Sequence, residues 1–129
     1  MPGGNQVWRE DFGREMRRGL LSIPLLWILR ENGAPMYGYE IIQTIAKTTG
    51  GWVPEAGTIY PLLRRLESKG LVKGEWSTIA NVPRRRYYWT TSRGKEAEKR
   101  IVPEWKRHSS GFREFVQELL GGRSDARQL

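Results

Sequence analysis

Apolar residues recur every three or four positions along three successive segments in the first half of the chain, which is the spacing of helices that bury one face. The first segment predicts a helix from about Arg14 to Glu31, and the second predicts a helix from Tyr37 to about Thr48. The third predicts a helix from about Glu55 to Lys69. Glycine follows each of the three segments, as is common where a helix ends.

Pro24 lies inside the first predicted helix. A proline at such a position removes one backbone hydrogen bond and clashes with the preceding turn. Either the helix is kinked at Pro24, or it restarts near Ser22 so that Pro24 occupies its first turn. We favour the kink.

Two segments with the composition of β-strands follow the third predicted helix. Leu71–Trp76 and Arg85–Thr90 are rich in aromatic and β-branched residues, and the loop 77–83 separates them. Together they predict a β-hairpin. A long helix from about Arg93 to Leu120 comes next, and one residue of the pair Thr91–Ser92 is expected to be its N-cap.

Three helices, a hairpin and a further helix follow one another in the order of a winged helix-turn-helix protein. We therefore predict a mainly α fold with a small β-hairpin, divided into four parts. The parts are a flexible N-terminal arm (residues 1–12), a winged helix-turn-helix DNA-binding domain (13–91), a C-terminal dimerisation helix (92–120) and a flexible tail (121–129).

The charge balance of the chain indicates a polyanionic partner. The 129 residues include 22 Lys and Arg against 14 Asp and Glu, which gives a formal net charge of +8 at pH 7. Such an excess attracts nucleic acid first and an anionic membrane surface second. Because there is no cysteine and only one histidine, we expect no metal site and no cofactor. The chain also lacks a long apolar run and a signal peptide, so we expect a cytoplasmic protein without membrane contact.

The third predicted helix has the two faces that a DNA-recognition helix needs, one apolar and the other polar and basic. The apolar stripe consists of Ile59, Leu62, Leu63 and Leu66, and the opposite face carries Thr58, Pro61, Arg64, Arg65 and Ser68, with Tyr60 at its flank. Arginine pairs bidentately with guanine or with phosphate. The alternative is a solvated surface on which one of the arginines pairs with Glu55 or Glu67.

Three consecutive arginines stand where the loop enters the second strand: Arg84, Arg85 and Arg86, followed by Tyr87 and Tyr88. Adjacent like charges repel one another, whereas a wing that lies along DNA needs such residues. Side chains alternate between the two faces of a strand, so the three arginines cannot all meet DNA equally. We expect at least one of the two tyrosines to pack in the core beneath the wing.

The last predicted helix carries a seam of residues separated alternately by four and three positions, which is the spacing of helices that pack side by side. The seam consists of Ile101, Trp105, His108, Phe112, Phe115 and Leu119. We interpret it as a dimer interface, joined by the first helix, because so small a domain does not need this seam for its own core. His108 fits an interface position better than a pH sensor.

Several blocks of the sequence together resemble the PadR family of transcriptional regulators. The blocks are ArgGlyLeuLeu (18–21), MetTyrGlyTyrGluIle (36–41), GlyThrIleTyrProLeuLeuArgArgLeuGlu (57–67), GlyLeuVal (70–72) and ArgArgArgTyrTyr (84–88), followed by Thr91 and Gly94. They cover most of the chain, and the Gly-Thr-x-Tyr-Pro-Leu-Leu pattern is specific to the family. The length resembles that of the smaller members, which have one C-terminal helix.

The resemblance implies a homodimer that binds a pseudo-palindromic operator in double-stranded DNA, usually as a repressor relieved by a small ligand. It assigns DNA contacts to Tyr37, Gly38, Thr58, Tyr60, Arg64 or Arg65, and to Arg84, Arg85 and Arg86. Some small members bind flat aromatic ligands at a tryptophan similar in position to Trp105. We predict Trp105 and Trp27 as contacts of a small aromatic effector, with an aromatic anchor in a packed dimer as the alternative for Trp105.

Two features depart from the family pattern. The segment TrpThrThr (89–91) replaces the usual Arg-Leu-Thr, and Pro24 and Pro103 fall inside the predicted interface helices. Other functions fit the same elements: a protein-interaction module whose helix-turn-helix no longer binds DNA, or an RNA-binding winged helix. An enzyme is the weakest candidate, because the chain shows no nucleophile–base pair, metal-ligand cluster or glycine-rich phosphate loop.

Overall fold

The computed structural model of the protein describes residues 2–78, 80 and 82–122. The elements are α1 (Pro2–Asn32), β1 (Met36–Tyr37), α2 (Gly38–Thr48), α3 (Ala56–Ser68), β2 (Val72–Trp76), β3 (Arg86–Thr90) and α4 (Ser92–Gln117), followed by a π-helical turn (Glu118–Gly122). They form two compact units that divide after Glu98. The winged helix-turn-helix order predicted from the sequence is confirmed.

Helix α1 begins at Pro2, so residues 2–12 are helical where the sequence predicts a flexible arm. Proline is well placed at the first position of a helix, where its missing N–H needs no partner. The hydrophobic pattern could not reveal this part of α1, because its described apolar side chains are not buried; Val7 and Phe12 are both exposed. An ion pair between Arg14 and Asp11, one turn apart, lies on its surface.

Helix α1 continues without interruption through Pro24, so the alternative of a restart near Ser22 is wrong. The hydroxyl of Ser22 donates to the carbonyl of Arg18 over 2.6 Å, within the helix. From Leu21 onward the helix contributes to the core, where Leu25 and Leu29 are fully or almost fully buried.

The sheet has three antiparallel strands in the order β1-β3-β2. The β2–β3 hairpin is confirmed, and each of its strands begins one residue later than predicted. The two-residue strand β1 is missed by the sequence reasoning, because two residues are too few to show an alternating pattern. Met36 lies opposite Tyr88 and Tyr37 opposite Tyr87. The start of α2 is thereby attached to the wing strand β3.

One apolar core joins the second half of α1 to α2, α3 and the sheet. Its buried members are Leu21, Leu25, Leu26, Ile28, Leu29, Met36, Ile41, Ile45, Ile59, Leu62, Leu63, Leu66, Val72 and Tyr88. Full burial of a Leu or Ile side chain contributes about 1.5–3 kcal/mol relative to exposure. The predicted stripe of α3 lies entirely in this core, and so does one of the two wing tyrosines, as expected.

The end of the wing is joined to the start of α4 by Thr91. Its hydroxyl accepts a hydrogen bond from the backbone N–H of Gly94 over 3.0 Å, which makes Thr91 the N-cap. The same hydroxyl donates to the carbonyl of Gly70 over 2.7 Å. A Cβ at Gly94 would collide with the carbonyl of Leu71, so only glycine fits there.

An ion pair between an exposed arginine and a buried glutamate joins the end of α1 to the first turns of α4. Glu98 is only 3% exposed, and its carboxylate accepts a hydrogen bond from Arg30 over 2.5 Å. This hydrogen bond raises the pKa of the Arg30 guanidinium above its usual value. A buried carboxylate needs such a partner, because an unpaired charge in the interior is strongly unfavourable.

The second unit contains the rest of α4, which passes through Pro103 and ends at Gln117, before the predicted end at Leu120. The seam predicted from the sequence is largely exposed there: Phe112 is 60% exposed, and Trp105 is half-buried. Of the predicted tail 121–129, the first two residues belong to the π-helical turn, and the others lie outside the described residues. Within the described part of the chain, no helix combines the length and apolar character needed to cross a membrane.

Candidate DNA-binding surface

Helix α3 presents its polar face to solvent because its apolar stripe is held in the core. Arg64 and Arg65 are exposed, Tyr60 is 36% exposed and Thr58 is half-buried. No ion pair of Arg64 or Arg65 is found among the described residues. The alternative in which one of them pairs with a nearby glutamate is therefore not the arrangement observed.

Glu67 instead fastens α3 to both strands of the hairpin. Its carboxylate accepts a hydrogen bond from Arg86 in β3 over 2.7 Å, and a second from the backbone N–H of Gly74 in β2 over 3.3 Å. The hydrogen bond to Glu67 raises the pKa of Arg86 above its usual value. Arg86 thus has a carboxylate partner within its own chain. The sequence analysis had instead interpreted all three consecutive arginines as residues of a wing that lies along DNA.

Arg85 directly precedes β3 and makes a different contact from that of Arg86. Its guanidinium lies 4.4 Å from the centre of the Tyr37 ring, a cation–π contact. The Tyr37 ring in turn meets the Tyr87 ring edge-on, with 5.5 Å between centroids. Arg85 is therefore held at the start of α2, close to another residue of the predicted site.

Arg84 stacks on Trp76, with its guanidinium carbon 5.0 Å from the ring centre. Trp76 is 49% exposed and lies opposite Arg86 in the hairpin. The sequence analysis did not assign Trp76 to the DNA-binding surface. The register of the hairpin could have revealed this position of Trp76, because it brings the last residue of β2 next to the first residue of β3.

These side chains line one open cleft of about 430 Å³, which we call the wing cleft. It is lined by Tyr37, Tyr60, Arg64, Trp76, Arg84, Arg85, Arg86 and Tyr88. The structure therefore brings together six of the nine residues predicted to contact DNA. Thr58 and Arg65 lie on the other flank of the α3 face, where they line a second groove.

Gly38, the ninth residue, is buried at the start of α2. A Cβ at this position would overlap the phenol ring of Tyr60. The absence of a side chain at Gly38 is therefore what allows Tyr60 to lie across the beginning of α2. Tyr88, at the floor of the cleft, is almost fully buried, and this burial raises the pKa of its hydroxyl.

The fold agrees with comparisons to known proteins. The family described as "Transcriptional regulator PadR-like family" matches residues 25–100, from the second half of α1 into α4. This chain belongs to the PadR-like family. The transcriptional regulator Rv3488 of Mycobacterium tuberculosis (strain ATCC 25618 / H37Rv) is 30% identical over 111 residues, which are 86% of this chain and 92% of that protein.

Solved structures of PadR-like proteins have the same fold. A PadR family transcriptional regulator from Eggerthella lenta DSM 2243 is 32% identical with a TM-score of 0.63, covering 88% of this chain and 96% of that one. A transcriptional regulator from Clostridium thermocellum is 30% identical with a TM-score of 0.67, covering 79% and 98% of the two chains. The resemblance to PadR stated from the sequence is confirmed.

Membership in the PadR-like family determines the general function. The protein is a DNA-binding transcriptional regulator and not an enzyme. Among its described residues, no group of three or more side chains could hold a metal ion.

Proposed function

We propose that this PadR-like regulator binds a pseudo-palindromic DNA operator as a homodimer and represses transcription. In each copy, α3 enters the major groove while the β2–β3 wing lies on the adjacent phosphate backbone. The observation that supports this proposal is the wing cleft, which places Arg64 of the exposed α3 face beside Arg84 and Arg85 of the wing.

The residues of the surface divide into three roles. Thr58, Arg64 and Arg65 read base edges from α3, since they stand on the face that a major groove would meet. Arg84 and Arg85 contact phosphates, because each is packed on an aromatic ring and has no carboxylate partner among the described ion pairs. An arginine held in place by an aromatic ring loses little freedom when it binds.

The remaining predicted contacts act mainly by positioning. Arg86 holds the wing against α3 through Glu67, and Gly38 leaves room for the Tyr60 ring. Tyr37 supports Arg85, and its hydroxyl and that of Tyr60 are available to phosphates at the start of α2. The positioning role of Arg86 implies a smaller effect on salt-dependent affinity than that of Arg85.

The dimer is proposed from the exposed seam of α4. Phe112, Phe115 and Leu119 are each more than half exposed, which is unusual for large apolar residues at coiled-coil spacing unless a partner covers them. Ile101, Trp105 and His108 complete the seam. A twofold dimer would place two α3 helices about 34–36 Å apart, one helical turn of DNA.

A small aromatic effector is proposed at Trp105 and Trp27. Trp27 is 40% exposed and Trp105 is half-buried, so each ring on its own is accessible to a planar ligand. Titration with a panel of planar aromatic compounds should quench tryptophan fluorescence, and Trp105→Phe should reduce the quenching. If Trp105→Phe leaves every response unchanged, Trp105 is an anchor of the packed dimer and not a ligand contact.

DNA binding is tested by fluorescence anisotropy with duplex DNA from the region upstream of the protein's own gene. Arg85→Gln should lower the slope of log K against log salt by about 0.9, the value of one phosphate contact. Lys73→Gln is the matched control: it removes the same charge from the wing, but Lys73 packs on Trp89 and faces Glu75 outside the wing cleft. Equal effects of the two variants would contradict the assignment of Arg85.

A protein-interaction module with an inactive helix-turn-helix would show no binding to this DNA at low salt.

Arg64→Ala should reduce discrimination between sequences, because a bidentate contact to guanine contributes about 1–3 kcal/mol of preference over the wrong base. A uniform loss over all sequences would instead make Arg64 a phosphate contact.

A further inference from the structure

The second groove beside α3 brings three arginines of α1, which the proposed function does not use, next to the arginines of α3. It has a volume of about 480 Å³ and lies between α1 and the exposed face of α3; we call it the α1 groove. Five arginines line it: Arg14, Arg17 and Arg18 from α1, and Arg64 and Arg65 from α3. The three in α1 stand three and four residues apart, so they share one face of that helix.

The charge of this groove is hardly compensated within the protein. Arg14 pairs with Asp11 over 2.9 Å, on the surface of α1. No other ion pair of these five arginines is found within residues 2–78, 80 and 82–122. Like charges so close together are unfavourable for the isolated protein, and a polyanion that releases its counterions on binding removes this penalty.

The position of the groove specifies which polyanion it fits. Arg64 lines both the wing cleft and the α1 groove, so the exposed face of α3 has arginines along each flank. A helix in the major groove of DNA lies between two phosphate backbones. The wing is on one flank of α3, and the arginines of α1 are on the other.

We propose that the α1 groove binds the phosphate backbone on the side of the major groove away from the wing. Arg17 and Arg18 are its main contacts, since Arg14 already has a carboxylate partner. This inference rests on the proposed entry of α3 into the major groove. It adds a second phosphate-binding element, supplied by the helix that precedes the helix-turn-helix.

The test compares the full-length protein with Arg17→Gln/Arg18→Gln. Glutamine removes the charge and keeps a high helix propensity. The matched control, Arg9→Gln/Lys99→Gln, also loses two positive charges, at exposed positions that line neither groove. Binding to duplex DNA from the upstream region of its own gene is followed by anisotropy as a function of salt.

The groove variant should lower the slope of log K against log salt by about 1.8, two contacts at about 0.9 each, and so weaken binding about 30-fold at 0.15 M salt. The single variant Arg18→Gln should lower the slope by about half as much. The control should change neither quantity by more than the general effect of net charge. In phosphate-ethylation interference, the groove variant should lose signals from one backbone and Arg85→Gln from the other.

Failure of this inference is distinguishable from failure of the proposed function. If the unchanged protein binds DNA and the groove variant keeps its slope and its ethylation pattern, the α1 groove does not contact DNA. A slope that falls equally in the control also overturns the proposal, because net charge alone then explains the effect. If the unchanged protein binds no DNA, the proposed function itself is wrong, and the groove assignment falls with it.

Discussion

Replacing Thr91 by alanine removes two hydrogen bonds at the point where the wing becomes α4. One of them caps the helix, and loss of such a cap costs about 1 kcal/mol, within a range of about 0.5–2. The other reaches the carbonyl of Gly70, an exposed residue that water can solvate again, so its loss adds about 0.5 kcal/mol, the lower end for a hydrogen bond. We expect Thr91→Ala to lower the free energy of unfolding by about 1.5 kcal/mol.

The measurement is thermal and urea unfolding at a fixed protein concentration, because the proposed association with a second copy would make the melting temperature concentration-dependent. For a chain of 129 residues, an unfolding entropy of about 2.1 cal/mol/K per residue converts the expected loss into a fall in Tm of about 5–6 °C. Thr91→Ser retains the hydroxyl and should stay within about 0.5 kcal/mol of the unchanged protein.

Ser92→Ala is the decisive control, because Ser92 is the other capping residue that the sequence allows. It is exposed and begins the helix without a capping bond of its own among the described hydrogen bonds. A cost for Ser92→Ala as large as that for Thr91→Ala would refute the assignment of the cap. A cost below about 0.5 kcal/mol for Thr91→Ala would refute the magnitude.

Three further predictions concern the surface and the seam. Gly38→Ala should weaken DNA binding without unfolding the protein, because the new methyl group displaces the Tyr60 ring. In a double-mutant cycle measured by anisotropy, Gly38→Ala should cause no further loss of DNA affinity when Tyr60 is already alanine. Glu67→Gln should release Arg86 and reduce the ratio of specific to non-specific DNA affinity, and a ratio equal to that of the unchanged protein would contradict the clamp. Phe112→Glu should shift the protein to monomers in sedimentation experiments while circular dichroism keeps its helical signal, whereas an unchanged mass would exclude this seam as the interface.

The sequence predicts most of the fold because its core helices bury one apolar face. The stripe Ile59–Leu66 and the C-terminal glycine at Gly70 determine α3 to within one residue at each end. The first turns of α1 are different: Val7 and Phe12 are exposed there, so no buried stripe marks them, and their helical state is visible only in the structure. Strand β1 is missed for a related reason, since its two residues are ordered by pairing with β3.

The site is predicted in its residue types but not in its pairings. The charge of the wing segment and the amphipathic pattern of α3 predict the arginines of this surface. Their division into Arg86, which pairs with Glu67, and Arg85, which stacks on Tyr37, depends on contacts between residues far apart in the chain. The same holds for the α1 groove, where arginines more than forty residues apart in sequence meet only in the folded protein.

The attachment of β3 on both sides limits how this regulator could respond to a signal. Glu67 fastens the hairpin to α3, and the pairing of Tyr37 with Tyr87 fastens it to the start of α2. Each winged helix-turn-helix domain is therefore stiff, and binding of an effector would change its internal structure little. In a twofold assembly, release from an operator would follow from a change in the distance or tilt between the two domains, so that both can no longer fit successive turns of the duplex.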